Sequence, residues 1–215
     1  MKTTLKTIAA ILLLTPAAVK AQTTSNRILP RVGIKAGLNA SNFYTDDVTD
    51  KNMMNGFNVG IFMKAPLTKH LSLMPELYYT TKGAELTYNN SVISGTGRFR
   101  LNYLEVPILL GLNVFRNINV HAGPYVSYLL DGSAKGTSNV SLFDFQKNIN
   151  VDNYNRMEGG LAVGAAIDIA KLSVGARYYY GMTDIGRSQQ FNGVTYTVPN
   201  ARNSVFNIYL ALALN

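Results

Sequence analysis

Apolar and polar residues alternate with a period of two along most of the chain beyond residue 30. In one stretch, Leu104, Val106 and Ile108 fall on one side while Glu105 and Pro107 fall on the other. This alternation is typical of a β-strand with one apolar face. The pattern recurs eight times, over residues 32–41, 57–64, 71–80, 103–112, 118–128, 160–168, 172–181 and 206–214. It therefore predicts an all-β chain of eight strands.

The predicted strands are joined alternately by short and by long connections. Short turns fall near residues 66–69, 115–117 and 170–171, and long polar connections over 45–55, 83–99, 131–156 and 183–203. Outer-membrane barrels combine short periplasmic turns with long outer loops, and their tilted strands have about this length. We therefore predict an eight-stranded antiparallel up-and-down transmembrane β-barrel with both termini in the periplasm. A soluble all-β barrel or sandwich, whose strands also alternate, is the alternative.

The first 21 residues have the pattern of a cleaved secretory signal peptide. Lys2 and Lys6 precede a short apolar run over residues 8–14, and Val19 and Ala21 occupy positions −3 and −1 of a cleavage site before Gln22. The run is far shorter than the roughly 20 residues needed to span a membrane as a helix. We therefore divide the chain into a signal peptide (1–21), a short N-terminal periplasmic segment (22–30) and a β-barrel domain (31–215).

The composition removes several classes of function. The chain has no Cys, which excludes disulfides, thiolate catalysis, Cys-bound zinc and iron–sulfur clusters. Charged residues make up 15%, below the roughly 25% of a soluble domain, as expected if one side of every strand faces lipid. The net charge of +8 falls to +5 once Lys2, Lys6 and Lys20 leave with the signal peptide. The loop charges are of both signs, so no basic face for nucleic acid is predicted.

Five of the predicted strands carry recognisable motifs. The fourth overlaps the run Arg-Leu-Asn-Tyr-Leu-Glu-Val-Pro-Ile-Leu-Leu (100–110). The others overlap Gly-Ile-Lys-Ala-Gly-Leu-Asn-Ala-Ser-Asn-Phe (33–43), Leu-Ser-Leu-Met-Pro-Glu-Leu-Tyr-Tyr (71–79), Gly-Pro-Tyr (123–125) and Arg-Tyr-Tyr-Tyr-Gly-Met-Thr-Asp-Ile (177–185). These motifs resemble those of the PorT-like family of outer-membrane β-barrels of Gram-negative bacteria. The resemblance implies an eight-stranded barrel, often described as a porin. It also implies a link to protein secretion, the role of the member that gives the family its name.

Charged and polar residues occupy the predicted inward side of the strands. An eight-stranded barrel is just wide enough for side chains to fill it, and buried charges need partners. We therefore expect Arg177 or Lys35 to reach Glu76 and Glu105 across the lumen. A narrow, gated ion path is the alternative use of such residues. The complete predicted lumen network is Lys35, Lys64, Glu76, Glu105, His121 and Arg177.

The outer connections carry cations that could pair with lipopolysaccharide phosphates through charge-assisted hydrogen bonds. Ordinary solvated loop charge is the alternative interpretation. The candidate lipopolysaccharide contacts are Arg98, Arg100, Arg156 and Arg202.

Catalytic and metal-binding motifs are weak. The two histidines, His70 and His121, fall in a short turn and in the lumen, and no catalytic triad is supported by spacing. The stretch 46–52 resembles a calcium loop but lacks its Gly and distal Glu. We therefore expect no enzyme activity, no cofactor and no metal.

Together these patterns predict a non-enzymatic integral protein of the bacterial outer membrane. We expect it to be structural, or accessory to transport or secretion, acting through its extracellular loops or through barrel partners. The expected partners are outer-membrane lipid and lipopolysaccharide, with secretion or envelope proteins, and no nucleic acid. The alternatives are a narrow small-solute porin or channel and a soluble periplasmic ligand-binding β-barrel.

Overall fold

The polypeptide closes into an antiparallel β-barrel. The computed structural model describes residues 29–44, 51–89, 94–138, 145–148, 154–186, 188–191, 194–197 and 201–215. In chain order the strands are β1 (Arg31–Tyr44), β2 (Lys51–Pro66), β3 (Leu71–Asn89), β4 (Ser94–Phe115), β5 (Ile118–Ser138), β6 (Phe145–Asn148), β7 (Met157–Ile169), β8 (Leu172–Gly181), β9 (Ser188–Phe191), β10 (Val194–Thr197) and β11 (Arg202–Ala213).

Eight of these strands form the barrel wall. Their order is β4-β3-β2-β1-β11-β8-β7-β5, and pairing of β4 with β5 closes the cylinder. The short strand β6 belongs to the same sheet and pairs with β5 at residues 133–136, beyond the part of β5 that pairs with β7, while β9 and β10 form a separate hairpin. The predicted eight-stranded antiparallel barrel is therefore confirmed. Among the described residues, no helix is long and apolar enough to cross a membrane.

A band of apolar side chains covers the outside of the wall. On β4, Leu104, Ile108, Leu110, Leu112 and Val114 are each 40–52% exposed. Ten residue steps of about 3.3 Å, tilted by about 40°, give a height of about 25 Å, which is that of the lipid-facing band of outer-membrane barrels. Exposed apolar residues in this quantity would be costly in water, so the band indicates a lipid-facing surface.

Three tight turns lie at one end of the barrel, where they were predicted. They occupy residues 67–70, 116–117 and 170–171. Ala170 adopts a left-handed conformation, with φ of 54°, in the turn between β7 and β8. We call this end of the barrel the short-turn end.

The opposite end differs from the prediction, because three strands continue far beyond the apolar band. The predicted loops 83–99 and 131–156 are wrong over much of their length, since β3 reaches Asn89, β4 begins at Ser94 and β5 reaches Ser138. We call residues 80–89, 94–103 and 129–138 the outer extension. Alternation continues there with its polarity reversed: Arg98 and Arg100 point outward while Leu101 is buried inside. A prediction that required an apolar exterior could not extend the strands into this region.

Large lumen side chains are accommodated by glycines on the neighbouring strands. Gly164 lies beside His121 on β5 and Arg177 on β8, and a Cβ at this position would stand 2.7 Å from the His121 ring. Gly175 lies opposite Tyr209, whose ring carbon would be 2.5 Å from such a Cβ. The frequent inward glycines therefore make room for the polar interior.

Candidate functional site

The centre of the lumen holds a buried cluster around Glu76. This carboxylate accepts hydrogen bonds from Arg177 through both terminal nitrogens and from Lys35 Nζ at 3.2 Å. All three side chains are at most 2% exposed. Lys35 Nζ also lies 3.5 Å from the centre of the Tyr209 ring, a close cation–π contact. Alternation along β1, β3 and β8 turns these three residues inward, and barrel closure brings them together.

A hydrogen-bonded chain runs from this cluster toward the short-turn end. Arg177 Nε donates to His121 Nε2 at 3.2 Å, so the His121 Nδ1–H can donate to Asn119 Oδ1 at 3.0 Å. Asn119 in turn donates to Asp168, which forms a 2.8 Å ion pair with Lys64. Both ring nitrogens of His121 are therefore engaged within the protein, which is the arrangement of a structural histidine.

A second buried cluster is centred on Lys82, at the start of the outer extension. Lys82 Nζ is 2.5 Å from Glu105 and 3.0 Å from Glu158. Ser127 donates to Glu105 at 2.9 Å, and Tyr125 donates to Glu158 at 2.8 Å. Each carboxylate oxygen that contacts Lys82 therefore also accepts a hydrogen bond from a side chain of β5.

The predicted lumen residues therefore divide into separate groups. The structure brings Lys35, Glu76, His121 and Arg177 together, and links Lys64 to them through Asp168 and Asn119. Glu105 does not join the Glu76 cluster as expected, because Lys82 on β3 lies closer to it.

Two members of the second cluster were missed by the sequence prediction. Lys82 falls just beyond the predicted strand 71–80, and Glu158 falls just before the predicted strand 160–168. Extending the inward positions of β3 by one step from Thr80 reaches Lys82, and the same step back from Gly160 reaches Glu158. Continuing the alternation across polar residues would have found both.

The described part of the lumen is balanced in charge and capped by apolar side chains. Its fully buried cations, Lys35, Lys82 and Arg177, equal in number its fully buried carboxylates, Glu76, Glu105 and Glu158. Above the Lys82 cluster lies an apolar cap of buried residues, which includes Ile185 from the segment after β8 and Ala201 from the segment before β11. Its members are Phe43, Ala84, Leu101, Tyr103, Leu129, Ile185 and Ala201.

The candidate lipopolysaccharide contacts lie around the end of the barrel opposite the short-turn end, which we call the outer end. Arg98 forms a 2.5 Å ion pair with Glu85, and Arg202 forms a 2.8 Å pair with Asp184. Arg156 lies 3.4 Å from the Tyr128 hydroxyl. Arg100 is exposed on β4, opposite Ser133 on β5. The structure thus places all four cations at the end of the barrel opposite the short turns.

Some predicted features fall outside the described residues. These are the signal peptide (1–21), all but two residues of the segment 22–30, and most of the stretch 46–52 that resembles a calcium loop. Within the described residues, no three His, Asp or Glu side chains are grouped to hold a metal ion.

Comparison with known proteins places this architecture in a family. The model of a family described as "Outer membrane protein beta-barrel domain" matches residues 20–187. Neisserial surface protein A shares 12% identity over 84% of this chain and 96% of its own, with a TM-score of 0.50. Ail, the attachment invasion locus protein of Yersinia pestis, shares 13% identity over 87% of this chain and 100% of its own, with a TM-score of 0.49. No curated protein matched the chain. At these identities the likeness to the solved structures concerns the fold alone.

Proposed function

We propose that this chain, which belongs to the outer membrane protein beta-barrel domain family and lies in the bacterial outer membrane, is a sealed, non-enzymatic barrel. Its outer surface binds envelope or secretion partners. The observation that carries this proposal is the lumen, which is filled by paired charges and capped by apolar side chains. Because solutes cannot pass through such an interior, the barrel acts through the surface of its outer end.

The lumen disfavours the alternative of a small-solute channel. Lys82, Glu105 and Glu158 are all at most 4% exposed, and so are Glu76 and Arg177 farther along the axis. A solute would have to separate these pairs and leave buried charges without partners, which costs several kcal/mol for each. The apolar cap adds a second barrier above them.

The outer extension is the surface best suited to a partner. It arises because β3, β4 and β5 have 19, 22 and 21 residues, whereas β8 and β11 have 10 and 12. Exposed polar side chains such as Arg100 and Asp131 decorate its described outer face. This surface supports an accessory role in transport or secretion, in agreement with the PorT-like motifs in β1, β3, β4, β5 and β8.

Orientation and lipid contacts complete the proposal. The short-turn end faces the periplasm, together with both termini, as in other barrels with short turns at one end. At the outer interface, Arg98, Arg100, Arg156 and Arg202 contact lipopolysaccharide phosphates. The surface ion pairs of Arg98 and Arg202 do not oppose this, because exposed pairs contribute only about 0–1 kcal/mol.

Conductance of the purified protein in planar bilayers tests the sealed barrel. We expect no steady openings from protein that shows the heat-dependent gel shift of a folded barrel. Steady, reproducible openings of the wild-type chain would refute the sealed lumen and favour the channel.

Two further measurements test the orientation and the partner surface. The chain has no Cys, so an impermeant maleimide applied to intact cells should label Ser133→Cys in the outer extension but not Asn117→Cys in a short turn. A photocrosslinking residue at position 133 should capture an envelope protein, while the same residue at the lipid-facing position of Ala122 should not. Equal labelling of the two cysteine variants, or no captured protein from any outer position, would contradict the proposal.

A further inference from the structure

The short-turn end of the barrel carries exposed cations without exposed acidic neighbours. Arg31, Lys69, Arg116 and Lys171 are all exposed there, and we call them the basic rim. Among the described residues, Asp168 is the one acidic residue near this end. Its carboxylate accepts hydrogen bonds from Lys64, Asn119 and Ser173 inside the barrel. The bonds to Asp168 measure 2.8 Å from Lys64, 3.0 Å from Asn119 and 2.6 Å from Ser173. The described surface of this end is therefore strongly positive.

Each cation of the basic rim lies next to a large exposed apolar side chain. Leu67 is 56% exposed two residues before Lys69, and Phe115 is 68% exposed immediately before Arg116. The same pairing joins Ile169, 58% exposed, to Lys171, and Leu29, 68% exposed, to Arg31. A cation beside an apolar side chain suits the boundary of a bilayer, where the apolar group enters the acyl region and the cation remains among the headgroups.

The basic rim is distributed around the barrel rather than gathered in one patch. Its members come from the start of β1 and from the β2–β3, β4–β5 and β7–β8 turns. A single globular partner would require a contiguous patch on one side, whereas the lipid of a leaflet contacts the barrel on every side. The distribution therefore favours lipid over one protein partner.

The two ends of the barrel differ in how their cations are compensated. At the outer end, Arg98 pairs with Glu85 and Arg202 pairs with Asp184. In the described part of the short-turn end, no carboxylate lies within ion-pair distance of the basic rim. The phosphates that would balance these cations must come from outside the chain.

We propose that the basic rim binds the phosphate groups of anionic phospholipids in the periplasmic leaflet of the outer membrane. The placement in that leaflet rests on the orientation given under the proposed function, whereas the preference for anionic phospholipid does not. In each contact, a lysine or arginine donates charge-assisted hydrogen bonds to a phosphate oxygen. The adjacent apolar side chain holds the cation at the depth of that phosphate.

Electron paramagnetic resonance of spin-labelled lipids tests the proposal. The full chain is reconstituted in phosphatidylcholine vesicles, and the fraction of motionally restricted label is compared for phosphatidylglycerol and phosphatidylcholine. The attraction of one Lys or Arg to an anionic membrane surface corresponds to about a fivefold change in an equilibrium constant. We therefore expect phosphatidylglycerol to be preferred by about threefold to fivefold at low ionic strength, and less at high salt.

Two matched variants locate the preference on the barrel. In the rim variant, Arg31, Lys69, Arg116 and Lys171 are all changed to Gln, and most of the preference should be lost. In the control variant, the same positions keep their charge, because Arg31 and Arg116 are changed to Lys and Lys69 and Lys171 to Arg. Most of the preference should remain in this control.

The outcomes separate this inference from the proposed function. No preference in the wild-type chain, or an unchanged preference in the folded rim variant, would overturn the inference while the membrane barrel stands. If purified peptidoglycan captured the wild-type chain but not the rim variant, and lipid preference were equal in both, the rim would bind a carboxylate polymer and the proposal would be wrong. Labelling of Asn117→Cys in intact cells would instead overturn the orientation and leave the lipid preference intact.

Discussion

Lys82 provides the most direct test of the charge network in the lumen. Its Nζ lies 2.5 Å from Glu105, 3.0 Å from Glu158 and 3.4 Å from Ser127 Oγ, so its donors are used within the barrel. The change Lys82→Met removes the cation while keeping an unbranched side chain of similar length. Two carboxylates then remain together in the interior without their shared partner.

The size of the effect follows from the distances. Two oxygens bonded to the same nitrogen at 2.5 Å and 3.0 Å are at most 5.5 Å apart. At an effective dielectric constant of about 20, two unit charges at this separation repel by about 3 kcal/mol. Removal of one partner from a buried ion pair costs about 3–5 kcal/mol. We therefore expect Lys82→Met to lower the free energy of unfolding by about that amount.

Reversible urea unfolding in lipid vesicles measures the loss. Tyrosine fluorescence can report it, because the chain has 13 Tyr and no Trp. With a slope of about 2 kcal/mol per molar urea, the midpoint should fall by roughly 1.5–2.5 M.

Two controls distinguish a charge effect from loss of the side chain. Replacement of Lys82 by Met together with Glu105→Gln and Glu158→Gln leaves no charge in the cluster, so it should recover most of the lost stability. Arg98→Met breaks an exposed pair and should cost about 0–1 kcal/mol. A Lys82→Met midpoint equal to that of the wild-type chain would show that the two carboxylates do not depend on this lysine, and would refute the reasoning.

Three other predictions concern the lumen, the wall and the N-terminus. Glu105→Leu should lower the free energy of unfolding by about 1–3 kcal/mol, because Lys82 and a serine hydroxyl lose an acceptor. Unfolding by heat or SDS measures this loss, and an unchanged unfolding temperature would show that Glu105 does not belong to the network. Gly164→Val should prevent the heat-dependent gel shift of the folded barrel, because even a Cβ there stands 2.4 Å from a backbone oxygen of β8, whereas the lipid-facing Ala165→Val should fold; equal folding of both would contradict the predicted steric clash. N-terminal sequencing of protein from outer membranes should begin at Gln22, and recovery of Met1 would rule out cleavage.

The barrel itself could be predicted because its signals are local. An outward apolar residue at every second position, as in Leu104, Val106 and Ile108, marks a lipid-facing strand without knowledge of its neighbours. The tight turns near residues 67–70, 116–117 and 170–171 were likewise visible as short breaks between alternating stretches. These two signals gave the number of strands, the side of each strand that faces lipid, and the inward position of Glu76 and Arg177.

The ends of the strands could not be predicted in the same way. Beyond the apolar band, the outer face of β4 becomes polar at Arg98 and Arg100 while the inner face becomes apolar at Leu101. The alternation survives, but the environment that each face meets is exchanged. Outward residues are apolar within the membrane and polar beyond it. The sequence of a strand does not say where the membrane ends along it.

The pairing of charges in the lumen was decided by the tertiary structure. Glu76 and Arg177 are 101 positions apart in the chain, and Lys82 and Glu158 are 76 apart. Alternation states that each of them points inward, but the strand order and register determine which of them meet. Glu105 pairs with Lys82 rather than with Lys35 or Arg177 because β3 places Lys82 nearer to it. The local pattern thus determined the wall, and the three-dimensional arrangement determined the interior, because electrostatic partners are chosen by distance in space and not along the chain.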